Sequence, residues 1–134
     1  MEKRLKIASD LENLREVEKA IDEVTASANI IHTAYGKILV AVLEAVNNAI
    51  THGNKFLPNK FVDISLKCRR DKLTVTVKDE GHGFSPAEVP DPTLPENIEN
   101  IQGRGVFLMT KLADEIKFNK KGNSVTFVFK NIVP

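Results

Sequence analysis

The spacing of apolar residues changes once along this chain, near Pro58, and the change separates two kinds of element. Before it, Leu11, Leu14, Val17, Ile21 and Val24 recur at intervals of three and four, as do Ile38, Leu39, Val42, Leu43, Val46 and Ile50. Each set is one stripe on an α-helix. After it, Val62, Ile64, Leu66 and Cys68 alternate with Phe61, Asp63, Ser65 and Lys67, and Leu73, Val75 and Val77 alternate with Thr74, Thr76 and Lys78. Alternation of this kind marks strands with one buried face. Helices come first, strands mostly later, and the strand connections are of hairpin length. The expectation is an α+β fold: a two-layer α/β sandwich with a mixed, mostly antiparallel sheet covered on one face by helices.

Residues Lys3 to Ser9 fit a short strand, with Ser9 or Asp10 offering a side-chain oxygen to cap the first helix. Thr25 to Asn29 interrupts the helical pattern, and a stronger helix is expected from about Thr33 to His52, with Gly53 in a left-handed C-terminal cap. The polar stretch Arg69-Arg70-Asp71-Lys72 closes a hairpin. Between Gly81 and Gly105 no period survives, and Pro86, Pro90, Pro92 and Pro95, four of the six prolines, fall there. A long loop is the natural reading. A short helix from Val106 to Leu112 and strands at Asp114 to Phe118 and Ser124 to Phe129, joined by Lys120-Lys121-Gly122-Asn123, complete the pattern. With 134 residues, 42% of them hydrophobic, the chain fits one domain, residues 1–134, around one core.

Nineteen Lys and Arg against eighteen Asp and Glu give a formal charge of +1, which offers no electrostatic case for nucleic acid or an anionic membrane as a partner. The single cysteine, Cys68, excludes an intrachain disulfide and a cysteine-rich zinc site, and it reads as a small buried hydrophobe. The first residues, MEKRLKIASDLENL, lack the apolar stretch of a secretion signal, and no run is long enough to cross a bilayer. A cytoplasmic location is expected.

Three short stretches carry chemistry. In EAVNNAITHGN, Glu44 to Asn54, a helix stacks Glu44 over Asn48 and brings Asn47 close to Thr51. An acid and an amide at the edge of a packed face can hold a hydroxyl or water and a hydrated Mg²⁺, whose ligands are hard oxygens. On spacing alone, a solvated helix face explains the pair as well. In DEGHGF, Asp79 to Phe84, strand alternation puts Asp79 on the apolar side with Leu73, Val75 and Val77, so its carboxylate needs donors. The exocyclic amine of adenine is one such donor, and Gly81 and Gly83 remove side chains where a flat ring would approach and permit positive φ. A strand-ending turn with Asp79 bonded to local amides is the alternative. In GRGVFLM, Gly103 to Met109, two glycines before a helix expose N–H groups to an anion such as phosphate, and Arg104 between them adds a charge. Loop punctuation accounts for that pattern equally well.

The order EAVNNAITHGN, DEGHGF, proline-rich loop, GRGVFLM resembles the N, G1 and G2 boxes of the Bergerat-fold (GHKL) ATPase superfamily, which includes gyrase, large heat-shock chaperones, histidine kinases and mismatch-repair ATPases. The likeness spans nearly the whole chain, and it is greatest to anti-sigma serine kinases of the RsbW and SpoIIAB type. The resemblance implies that Asn48 helps hold Mg²⁺, that Asp79 receives the adenine amino group, and that Gly81, Gly83, Gly103 and Gly105 shape the pocket for ATP. It implies Glu44 as the base that orients the attacking hydroxyl, and residues 85–102 as an ATP lid. Arg104 stands where relatives often carry a small or apolar residue, and Val106-Phe107 follows Gly105 in place of the commoner Leu, so the lid's phosphate contacts do not carry over directly.

The resemblance further implies a serine/threonine-protein kinase of a bacterial partner-switching system, acting on a STAS-type anti-sigma antagonist and sequestering a sigma factor. Neither a phosphoaccepting helical hairpin nor a transducer domain is visible in the sequence, which points to a module acting on another protein. The alternative is a nucleotide-gated binding module of the same fold without kinase activity. Relatives dimerise through the first strand and helix, and Lys3 to Ser9 resembles such an edge, although edge strands occur in monomers as well.

Overall fold

A computed structural model describes residues 1–81 and 111–134. Strand β1 (Glu2–Ala8) leads through a 3-10 turn (Leu11–Asn13) into helix α1 (Leu14–Ser27), followed by helix α2 (His32–Asn48), which ends in a π-helical turn (Ala49–Gly53). Strands β2 (Phe61–Arg69), β3 (Lys72–Lys78), β4 (Glu115–Phe118) and β5 (Ser124–Lys130) follow. They form one five-stranded sheet in the order β1-β2-β3-β5-β4, and every pairing is antiparallel among the described residues. The expected α+β sandwich is present, with an antiparallel rather than a mixed sheet.

Alternation along the strands sorts the faces. Leu5, Ile64 and Val77 lie in register across β1, β2 and β3, and Val77 continues to Val125 on β5. These side chains pack against Val17, Ile21 and Val24 of α1 and Ile38, Val42 and Val46 of α2 in one core. The other face carries Arg4, Lys6, Asp63, Ser65, Thr76 and Lys78 around a shallow groove. Each strand thus buries one side only, which is what period-two patterning requires. Cys68 is a free thiol in the buried row, as expected, and burial pushes its pKa up.

The helix ends show where local chemistry was legible. Asp10 is the cap: its Oδ1 accepts from the Glu12 N–H at 2.9 Å. Ser9 is buried and its hydroxyl donates instead to the Lys60 carbonyl at 2.6 Å. Leu11, expected in the α1 stripe, is 42% exposed because it belongs to the 3-10 turn, whose three-residue period rotates it off the face. The interruption expected at Thr25 to Asn29 is shorter: α1 continues to Ser27, and Thr25 is buried within it with its hydroxyl on the Ile21 carbonyl at 2.8 Å. The stop is Asn29 at φ 55°, with Ile30 N–H reaching back to the Thr25 carbonyl and Asn29 N–H to that of Ala26. That is a Schellman closure with asparagine in the left-handed position.

Candidate functional site

The site is built where α2 ends beside the last residue of β3. Ala45, Val46, Ala49 and Ile50 are buried and fix the helix to the sheet, while Glu44, Asn47 and Asn48 lie half-exposed at its border. Glu44 and Asn48 are both within the α-helical part, four residues apart, so they stack on one face. Thr51 Oγ1 donates to the Asn47 carbonyl at 2.8 Å.

Beyond Asn48 the helix widens. The Asn54 N–H bonds the Ala49 carbonyl at 2.7 Å, a five-residue step, and the turn brings Gly53 against β3. Such π-turns recur at functional sites. Gly53 is not left-handed, contrary to expectation; positive φ falls on Lys55 (52°) and Phe56 (59°). Glycine is needed at 53 for space, since a Cβ there would lie 2.4 Å from both Cγ and Oδ2 of Asp79. Gly81 is constrained the same way: its Cβ would stand 2.1 Å from the Gly53 carbonyl oxygen. Its φ is not positive either, so close approach and not backbone freedom selects glycine at both positions.

Asp79 follows β3 directly, half-buried on the apolar side as alternation required. Its Oδ1 accepts from the Gly81 N–H at 2.7 Å. Burial pushes the pKa of this carboxyl up, and the Gly81 N–H together with the positive charges of Lys121 and Lys60 opposes that shift only partly. A carboxylate held off water and accepting one protein hydrogen bond among the described residues is an acceptor suited to a neutral amine donor.

Asp79, Gly81 and Gly53 therefore meet, and Gly53 ends the π-turn that continues the helix carrying Glu44 and Asn48. The two stretches read separately in the sequence are one place in the fold. Gly83, Gly103, Arg104, Gly105 and residues 85–102, expected as a lid, lie outside the described residues. Sequence reasoning missed three participants. Asn54 is buried and bonds the Glu80 N–H, Asn123 is buried and bonds Asp79 by backbone and side chain, and Glu80 accepts from the Phe61 N–H. Asn54 and Asn123 read as turn residues, and only burial distinguishes them; Glu80 is exposed, and only its contact with the Phe61 N–H reveals it.

The donor chemistry fits an adenine nucleotide. A half-buried carboxylate with two side-chain-free neighbours suits the amino edge of a purine, and the Asn48 side-chain amide offers a hard oxygen of the kind Mg²⁺ takes, with the Glu44 carboxylate one turn away on the same face. No cluster of three or more His, Cys, Asp or Glu forms among the described residues.

The family model described as histidine kinase-like ATPase domain matches residues 7–129, and the chain belongs to that family. An anti-sigma F factor of Geobacillus thermodenitrificans is 32% identical over 117 residues, covering 85% of this chain and 72% of that protein. An anti-sigma F factor of Geobacillus sp. is 34% identical over 96 residues, covering 69% of this chain and 65% of that protein. A serine-protein kinase RsbW of Oceanobacillus iheyensis is 27% identical over 99 residues, covering 69% of this chain and 63% of that protein. The matches thus span about two-thirds of these relatives' length. A crystal structure of the RsbU and RsbW domains of a Mycobacterium tuberculosis protein shares the fold, with TM-score 0.72 at 15% identity over 100% of this chain and 33% of that one. Within the histidine kinase-like family, the chain groups with the anti-sigma factors and RsbW-type kinases. Among the described residues no helix is long and apolar enough to cross a membrane.

Proposed function

We propose that this chain, acting as one domain over residues 1–134, binds Mg-ATP and transfers its γ-phosphoryl group to a Ser or Thr hydroxyl of a STAS-type anti-sigma antagonist, and that it also sequesters a sigma factor. The observation that carries the reading is the Asp79 carboxylate seated against Gly81 and against Gly53, the last residue of the π-turn that continues the helix bearing Glu44 and Asn48. Membership in an ATPase family and likeness to anti-sigma F factors and RsbW kinases support the same substrate and the same class of partner.

Asp79 would accept the adenine amine and so orient the base. Asn48 would hold Mg²⁺ through its side-chain carbonyl oxygen, and the ion would neutralise phosphate charge. Glu44, one turn earlier on the same face, accepts the proton of the acceptor hydroxyl. The hydroxyl oxygen forms a bond to the γ-phosphorus as the bond to the bridging oxygen breaks, leaving ADP and a phosphorylated side chain. Gly83, Gly103, Arg104 and Gly105 enter through the resemblance of their stretches to the G1 and G2 boxes. That resemblance assigns them to nucleotide binding and residues 85–102 to an ATP lid. Phosphoryl transfer asks for position and charge compensation more than covalent chemistry, so a site of this economy suffices. The edge position of β1 supports pairing with a second copy through that strand, which sedimentation measures.

The test is transfer of labelled γ-phosphate to an antagonist encoded beside this chain. Glu44→Ala is expected to lower transfer by about 100-fold or more while ATP still binds, and Asn48→Ala to weaken both. Unchanged transfer in Glu44→Ala removes the base assignment. Nucleotide-dependent capture of partners without a phosphorylated product identifies the chain as a nucleotide-gated binding module instead.

A further inference from the structure

One peptide group in this molecule is gripped from both sides by buried asparagine side chains. The carbonyl of Asp79 accepts from Asn123 Nδ2 at 3.0 Å, and the N–H of Glu80, the other half of the same peptide, donates to Asn54 Oδ1 at 2.8 Å. The Asp79 N–H donates to the Asn123 backbone carbonyl at 2.9 Å. Three consecutive backbone polar groups around the Asp79 carboxylate are therefore fixed by two residues distant in sequence.

Each asparagine is itself anchored. Asn54, at 0% exposure, donates both hydrogens of Nδ2, to Ser9 Oγ at 2.9 Å and to the Phe61 carbonyl at 3.0 Å. The Ser9 hydroxyl passes its own hydrogen to the Lys60 carbonyl. Asn123, at 7% exposure, accepts from Asn119 Nδ2 at 2.7 Å, and Asn119 Oδ1 in turn accepts from the N–H groups of Gly122, Asn123 and Ser124. The clamp thus ties the end of β3 to the end of β1 and the start of β2 on one side, and to the β4–β5 hairpin on the other.

Ending a strand does not require this. The opposite end of β3 opens from a two-residue turn with no buried amide. Burying an amide is costly unless every polar atom is paired, and a fully paired network specifies one geometry and no other. What needs one geometry here is the carboxylate, because a hydrogen bond weakens steeply with misalignment.

We infer that Asn54 and Asn123 are positioning residues that set the Asp79 carboxylate for the amino edge of adenine and so determine selection of adenine over guanine. The inference rests on the assignment of Asp79 as the adenine acceptor. Neither asparagine touches the nucleotide; both act through the Asp79–Glu80 backbone.

Calorimetry on the full chain with Mg²⁺, using ATP and GTP separately, tests it. Wild type is expected to prefer ATP, because guanine presents a carbonyl where adenine presents an amine. In Asn54→Ala and in Asn123→Ala the Kd for ATP is expected to rise about tenfold while that for GTP stays within about twofold, so selectivity falls by nearly the same factor as affinity. Equal weakening of both nucleotides, or unchanged ATP binding, overturns the inference and leaves Asp79 as acceptor intact. Wild type that binds neither nucleotide overturns the ATP assignment itself. Should Asn54→Ala not fold, Ser9→Ala removes only one acceptor of the Asn54 amide and is expected to lower selectivity about threefold; no loss there counts against the clamp. Faster hydrogen exchange at the Glu80 amide accompanies the loss in Asn54→Ala, which removes its acceptor, and unchanged exchange there overturns the proposed route.

Discussion

The two ends of strand β3 solve the same problem of ending a strand by opposite means. At Arg70-Asp71 the chain turns in two residues, with Arg69 paired directly to Lys72 and Arg70 at φ 55°. That turn is local and open to water, and its long-range tie is the Asp71 carboxylate accepting from the Val133 N–H. At Asp79 the chain is held by residues from the end of β1, the π-turn, the start of β2 and the β4–β5 hairpin, and two glycines are packed too closely for any Cβ. A chain reversal needs only the first arrangement. The second buries polar groups and raises the pKa of a carboxyl, both unfavourable for the bare fold. Such expense concentrated at one end marks the place where geometry serves binding.

Substitutions at the two ends sharpen that contrast, and Gly81→Ala is expected to act most strongly. Its Cβ meets backbone at 2.1 Å, so a loss of about 2–3 kcal/mol is expected by chemical denaturation, together with loss of ATP binding. Tolerance of alanine there would mean the Gly53–Gly81 approach is not obligatory.

Asp79→Asn retains the oxygen that accepts from Gly81 but loses the charge. ATP affinity is expected to fall by about 30-fold or more, while the melting temperature of the nucleotide-free protein rises, because a disfavoured buried charge is gone. A fall in both would place Asp79 in the scaffold alone.

The pH dependence separates the same two roles. Because burial raises the folded-state pKa of Asp79, the folded protein holds a proton there that the unfolded chain has released, between the ordinary carboxylate pKa and the raised one. In that window the stability contributed by this group falls as pH rises, whereas ATP affinity rises as the acceptor ionises. Both trends are read as wild type minus Asp79→Asn, by melting and by calorimetry. Parallel trends would contradict the assignment.

At the other end, Arg70→Gly relieves a left-handed residue and is expected to stabilise by no more than about 1 kcal/mol, leaving ATP affinity unchanged. An altered affinity would show that the two ends are coupled after all.

Much of this fold was legible from side-chain spacing. Val17, Ile21 and Val24 face the core of the sandwich, and Val62, Ile64, Leu66 and Cys68 form one buried row, because each repeats at the period of its element. Asp79 was legible as a carboxylate on the apolar side by the same alternation. What failed has local physical reasons. Leu11 keeps helical spacing but sits in a 3-10 turn of different period, and a single turn is too short for spacing to separate an α from a π step after Asn48. Gly53 was read for backbone freedom, and Gly81 for that and for room beside a flat ring, whereas their constraint is the proximity of Asp79 and of each other. Asn54 and Asn123 look like ordinary turn residues until their burial is known.

Periodicity and composition by themselves determined a two-layer α+β arrangement and the face each element buries, since these follow from properties of neighbouring residues, whereas the nucleotide reading of the three stretches rested on their resemblance to a known family. Only tertiary structure decided that Gly53 abuts Asp79 and that amides at 54 and 123 close on one peptide, because those contacts join positions far apart in the chain. A hydrogen bond or a collision between such positions depends on how the helix layer seats on the sheet, and no local spacing encodes that seat.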